Sequence, residues 1–295
     1  MFFFSQLING LQLGSIYALV ALGYTMVYGI VKLLNFAHGD IIMVGGYFAL
    51  MSLSANHLGL PPVIAAIITV VGCVVLAVVI EKLAYAPLRS APRLSILITA
   101  IGISLLLQNL AQLIFGATPQ NFPATLLIPQ GSIMLGEVRV GYTPLVTILT
   151  AVISMIILTI LVQKTKLGKA MRAVSEDMDA ARLMGINVNT VVTFTFAVGA
   201  ALAGVGALLY SAGYPRLEPT MGVMLGLVAF IAAVVGGIGS IPGAMIGGFA
   251  IGLVEVFVTA LGYSEWRIGA VFLILIIVLM VRPTGIMGRN LMEKV

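Results

Sequence analysis

Asn35-Phe36-Ala37-His38-Gly39-Asp40 sets an amide, an imidazole and a carboxylate within six residues, at the edge of an apolar run. A His and an Asp this close could relay a proton, a task that ionisable groups inside membranes often serve. The same side chains could instead satisfy backbone groups at a helix end, with His38 or Asn35 as the cap. The second reading is favoured, because a relay needs further carboxylates inward and only Glu255 lies deep within an apolar segment. Asn35, His38 and Asp40 are therefore expected to form a structural polar cluster where water reaches the membrane boundary. Glu255 has no opposite charge near it in sequence, and a pathway role and a structural role are equally open for it. Gln108, Asn109 and Gln112 share one segment, with Gln108 and Gln112 four apart on one helical face. That pair could line a path for a zwitterion, or simply bond between helices, which is the commoner use of such groups in membranes.

Other chemistries lack their residues. Two His and one Cys do not build a zinc site of the usual kind. Cys73 stands alone, so no disulfide forms within the chain. The Gly236–Ala244 segment could cradle an anion with backbone N–H groups, but it lacks the Lys of a phosphate loop, and G-x-x-x-x-G-K-[ST] occurs nowhere. A tight turn is the better account of it. No metal, no cofactor and no catalytic residue are expected on this chain.

The elements that would position these residues are dictated by composition. Of 295 residues, 61% are hydrophobic and 8% are charged. A soluble domain carries about 25% charged residues, so lipid must serve as the solvent here. The net charge of +5 would suggest nucleic acid only if the bases formed a surface stripe. They sit instead at segment ends, and no nucleic-acid partner is expected. The first fifteen residues carry no basic stretch or cleavage motif and are expected to lead into the first span.

Charge-free runs and Gly/Pro punctuation predict spans at 9–30, 41–55, 62–80, 95–115, 143–163, 190–212, 221–238, 243–261 and 267–282. The 41–55 segment is short enough to be broken or re-entrant. The expected fold is an all-α polytopic membrane protein of about eight or nine transmembrane helices, forming one transmembrane domain over 1–295. Of the 15 Lys and Arg, 12 fall on one side of this topology, and only Arg139, Arg216 and Arg267 fall on the other. The bias predicts a periplasmic N-terminus and a cytoplasmic C-terminus. Gly239, Gly243 and Gly247 are spaced by four, as are Gly248 and Gly252, which lets helix backbones approach within the subunit.

One long polar segment remains, a cytoplasmic loop over 164–189. Ser175 is expected to cap a short helix whose first turn holds Glu176, Asp177 and Asp179. Gly185 is placed to end it in the left-handed conformation. Met178, Ala181, Leu183 and Met184 are expected to share one apolar face. The acids disfavour contact with anionic lipid, so a docking helix is favoured over one resting on headgroups.

Asp179-Ala180-Ala181, three residues, then Gly185 resembles the EAA-x3-G signature of ABC-importer permeases, although the later Leu-Pro part is absent. The resemblance implies that Glu176, Asp179, Ala180, Ala181, Arg182 and Gly185 couple to an ATPase subunit. Gly14-Ser15-Ile16-Tyr17-Ala18-Leu19, Met26-Val27-Tyr28-Gly29-Ile30, Asn35 to Gly39, Gly236 to Ala244 and Arg282-Pro283-Thr284-Gly285-Ile286 are similar to permeases of branched-chain amino acid importers, of the shorter H-type subunit. The similarity runs through nearly the whole chain. It implies an importer in a bacterial inner membrane, with separate ATPase subunits that hold ATP and Mg. It also implies a second permease subunit, homologous or identical, and a periplasmic amino-acid-binding protein. Residues alone leave an ion-coupled secondary transporter or a passive channel as rivals.

Overall fold

The computed structural model describes residues 2–32, 35–55, 57–89, 91–135 and 138–288. The long helices follow the apolar runs: α1 (Phe2–Val31), α2 (His38–Leu53), α3 (Pro62–Ile80), α4 (Arg93–Phe115), α6 (Tyr142–Lys164), α9 (Val188–Gly213), α10 (Met221–Gly236), α11 (Ile241–Ala260) and α12 (Arg267–Val281). Two helices, α7 (Lys166–Glu176) and α8 (Met178–Leu183), stand between α6 and α9. A four-residue helix, α5 (Ala124–Leu127), and the hairpin of β2 (Ser132–Leu135) and β3 (Val138–Gly141) follow α4. Among the described residues, seven helices are long and apolar enough to cross a membrane, and α2 and α10 are shorter at 16 residues each. The chain is an all-α polytopic membrane protein.

The short helices are well enclosed. Both are buried along most of their length, so their backbone and polar groups meet protein and not lipid. The 41–55 segment is thus a continuous helix inside the bundle. α1 runs through the middle, with α6, α9, α10 and α11 around it. By contrast α3, α4, α6 and α12 turn rows of Val, Ile and Leu outward. An apolar surface of that extent requires lipid or another apolar partner.

Small residues set the spacing at the centre. A Cβ added at Gly252 would lie 2.2 Å from the Gly14 backbone nitrogen, and one at Gly248 would lie 2.5 Å from that of Ala18. α1 and α11 therefore touch backbone to backbone, using the Gly14–Leu19 segment against the four-spaced glycines. The sequence-spaced glycines are spent on packing within the subunit.

Helix ends gather on two faces. At one, the N–H groups of Ile286 and Met287 donate to Val235 and Gly236 carbonyls at 2.9 Å, joining the chain after α12 to the end of α10. On the same face, the π-helical turn Glu81–Tyr85 after α3 meets the start of α9, where Thr193 Oγ1 donates to Glu81 Oε2 at 2.8 Å and Arg89 bonds both Glu81 and Asn189. At the other face, β1 (Gln120–Asn121) pairs antiparallel with β4 (Arg216–Leu217). The first face carries exposed Lys32, Lys82, Lys164, Lys166, Lys169, Arg172, Arg182 and Arg282, whereas the second carries Arg139, Arg216 and Arg267. Arg289 and Lys294, expected on the first face, lie outside the described residues.

Candidate functional site

The basic face carries a projecting element. Thr165 starts α7, its Oγ1 accepting the Gly168 N–H at 2.9 Å, and Met171 and Val174 pin that helix to the body while its bases face out. Ser175 does not cap a helix: its hydroxyl donates to the Arg172 carbonyl within α7, and Glu176 ends that helix. The chain kinks one residue later. Asp177, extended at φ −153°, accepts the N–H groups of Asp179 at 2.8 Å and Ala180 at 2.9 Å. Asp and Ser are comparable caps, and here α7 runs through Ser175, which moves the start of α8 to Asp177. The Ala180 and Asp179 N–H groups hold the Asp177 carboxyl below the usual carboxylate range.

α8 ends as the sequence predicts. Gly185 has φ +81°, its N–H donates to the Arg182 carbonyl, and Ile186 N–H donates to the Ala181 carbonyl, both at 3.0 Å. This pair of bonds is a Schellman cap. The expected single apolar face is corrected. At 100° per residue, Ala181 and Leu183 point to opposite sides. Ala181 is buried against the chain's own body and does not face a partner, whereas Leu183 and Met184 are 89% and 83% exposed at the tip. Asp179, Ala180 and Arg182 are exposed beside them, with Asp179 and Arg182 ion-paired at 3.1 Å. Glu176 is also exposed.

A second polar group lies at membrane depth. Asn35, His38 and Asp40 are all buried, which corrects the expectation that water reaches them. α2 begins inside the bundle, with Gly39 pressed against the α10 backbone at Gly222 and Gly226. Neither expected cap forms, since no side chain caps α2. Asn35 Oδ1 accepts the Tyr85 hydroxyl at 2.8 Å, and the His38 ring lies edge-on to Tyr24, 4.9 Å between centroids. Asp40 Oδ2 accepts the Ser104 hydroxyl, and Gln108 Nε2 donates to Ser104 Oγ at 2.9 Å. Ser104 and Gln108 line a groove of about 330 Å³ between α1, α4 and α10. Gln112, one turn further on, is exposed on the outer side of α4 and outside that groove.

Glu255 finds its partners through the fold. It is buried on α11, accepts the Tyr17 hydroxyl at 2.6 Å, and lies 3.6 Å from the Arg267 guanidinium at the start of α12. These groups sit near the face opposite the projecting element.

Residues 6–281 match the family described as the permease component of branched-chain amino acid transport systems. The chain belongs to that family. LivH of Escherichia coli K12, a high-affinity branched-chain amino acid transport system permease protein, is 41% identical over 309 aligned positions, spanning 100% of this chain and 98% of LivH. BraD of Pseudomonas aeruginosa is 41% identical, over 99% of this chain and 98% of BraD. A probable LivH of Methanocaldococcus jannaschii is 31% identical, over 92% and 88%. The solved PsaBC from Streptococcus pneumoniae, in complex with Fab, overlaps 94% of this chain and 91% of its own at 17% identity, with a TM-score of 0.49.

Sequence reasoning about this permease missed Ser104, the link between Asp40 and Gln108. Its spacing of four from Gln108 was the available signal, and the 64 residues separating it from Asp40 hid the rest. It also missed the Glu81–Arg89–Thr193 network, in which a fully buried carboxylate ties the π-helical turn to α9 just behind α8. A π-helical turn is rare, and such turns are frequent at functional positions.

Proposed function

We propose that this permease is the transmembrane subunit of an ATP-binding-cassette importer moving branched-chain, hydrophobic amino acids into the cytoplasm of a bacterial cell across its inner membrane. Separate ATPase subunits, which hold ATP and Mg, supply the energy. The observation that carries the reading is the α7–α8 element. Two large apolar side chains are held out from a capped, basic-flanked helix, a shape that suits insertion into a partner's cleft and that water alone disfavours. The basic face would be cytoplasmic by the charge rule, which leaves the N-terminal end of α1 periplasmic. The partners are separate ATPase subunits at the α7–α8 element, a second permease subunit, homologous or identical, and a periplasmic amino-acid-binding protein at the opposite face.

An ion-coupled secondary transporter is the alternative, and buried Asp40, with no cation beside it among the described residues, is the feature that favours it. Uptake of labelled leucine into proteoliposomes separates the two. The importer reading expects uptake that needs the ATPase subunits and enclosed ATP, and that survives a protonophore at clamped ATP. Uptake by the permease alone, or its collapse with the proton gradient at constant ATP, would overturn the importer reading.

A further inference from the structure

The geometry points to the groove between α1, α4 and α10 as a site that takes an aliphatic amino acid, with Ser104 and Gln108 receiving its α-ammonium group and Asp40 positioning them. This rests on the amino-acid importer reading and names the chemistry of recognition within it.

Hydrogen-bond direction gives the argument. Asp40 takes the Ser104 hydroxyl proton, and Ser104 Oγ takes an N–H of Gln108. The Ser104 hydroxyl and one Gln108 N–H are thereby committed along the line to the carboxylate. The Gln108 carbonyl oxygen and the second lone pair of Ser104 Oγ remain as acceptors on two residues that line the groove, beside the second Gln108 N–H. Behind them lies Asp40, 1% exposed, with no ion pair among the described residues and with Oδ1 lacking a hydrogen-bond partner. A carboxylate left in that state in a low-dielectric interior attracts a cationic donor strongly. An ammonium group supplies three N–H donors and a positive charge in one compact unit, and matches both features.

Tyr24 adds a phenol to the lining, and the remaining walls, Phe36, Ile101, Leu105, Val223 and Leu227, are apolar. Its volume of about 330 Å³ falls at the lower end for small-molecule sites, which suits a single amino acid. Polar acceptors set among branched aliphatic walls match a molecule with an ammonium head and a hydrocarbon side chain. A lipid acyl chain would fill the apolar wall but leave the acceptors bare, at a cost. The substrate carboxylate finds no cation among these lining residues.

The test uses the permease assembled with its ATPase subunits in nanodiscs, without the binding protein, so that the permease's own selectivity is read. Labelled leucine is displaced by leucinamide, which keeps the ammonium, or by 4-methylpentanoate, which keeps only the carboxylate. Leucinamide is expected to compete nearly as well as leucine, and 4-methylpentanoate to compete at least about tenfold less well, as expected for loss of a charge-assisted contact. Gln108→Leu replaces an amide by an apolar group of similar size, which a membrane interior tolerates. It and Ser104→Ala should each weaken leucine about tenfold. Asp40→Asn should narrow the gap between the two competitors, whereas a merely structural role would weaken all ligands alike. Competition by 4-methylpentanoate as strong as that by leucinamide, or unchanged leucine affinity in Gln108→Leu, overturns the inference. So does a wild-type complex that binds no leucine. ATP-dependent leucine uptake by the complete importer then shows separately whether the transport reading stands.

Discussion

Gly185 shows how one residue can hold the tip of α8 in place. Its φ of +81° places it where a Cβ costs roughly 1 to 2 kcal/mol, and its N–H is committed to the Arg182 carbonyl. Gly185→Pro removes both the conformation and the bond. It is expected to abolish ATP-driven uptake while leaving membrane insertion intact, which transport and membrane-fraction blots on the same cells will check. Ala181→Glu has a different outcome from the one its sequence position suggests. Ala181 is buried in the subunit's own body, so the variant should lower the folded yield itself, read by size-exclusion in detergent. His38 belongs to the same scale. Its Nε2 has no hydrogen-bond partner, and a Cβ at Gly23 would lie 2.2 Å from it, so the ring is wedged against the α1 backbone. With Nε2 bonded to no proton donor or acceptor among the described residues, His38→Gln should leave the pH profile of ATP-dependent uptake unchanged. A shifted profile would restore the relay.

At the level of elements, two devices dominate, and each has its own assay. α1 and α11 meet through Gly14, Gly248 and Gly252, where a methyl group would strike backbone and not a mobile side chain. Gly252→Ala should destabilise the subunit by about 1 to 3 kcal/mol, seen as a lowered midpoint in thermal unfolding of the purified protein. A wild-type midpoint would mean that the two helices separate freely. The α7–α8 element behaves in the opposite way. Leu183 and Met184 touch solvent, so Leu183→Asp with Met184→Asp should leave that midpoint unchanged and remove co-purification of the ATPase subunits. Retained co-purification in the double variant would strike out the docking role. The cap beneath them depends on an ionised Asp177. Because its carboxyl sits below the usual range, its contribution to α8 is complete above the ordinary Asp value and fades as pH falls through the folded value. Docking should therefore be insensitive to Asp177 titration at neutral pH.

The whole molecule is a bundle with one basic end and one sparsely charged end, and orientation is a property of that asymmetry. Cys73 is the single native cysteine and it is fully buried, so engineered thiols can be labelled against a quiet background. A membrane-impermeant maleimide applied to intact cells is expected to reach a cysteine at Gln130 and not one at Lys169, both exposed in the fold. Labelling at Lys169 alone would invert the topology. The groove and the π-helical turn at the foot of α9 lie on one connected framework. α2 brings Asp40 to α4, Asn35 at its start is tied to Tyr85 in the π-helical turn, and the same turn holds α9 through Glu81 and Thr193.

Much of this was written in the order of residues. Except at α1, which begins at Phe2, seven residues before the expected start, hydrophobic runs of membrane length fix the helices to within a few residues, because in lipid each segment must satisfy its own backbone, and that is a local requirement. The positive φ at Gly185 was equally local, since only glycine enters that region without cost. The pairing of charges was not. Glu255 meets Arg267 and Tyr17, and Asp40 meets Ser104, only because distant helices pack side by side, and nothing in linear spacing encodes which faces touch. The outward turn of Leu183 and the inward turn of Ala181 were decided in the same way. Helix periodicity separates them by rotation, but only the body of the bundle defines which side is inside.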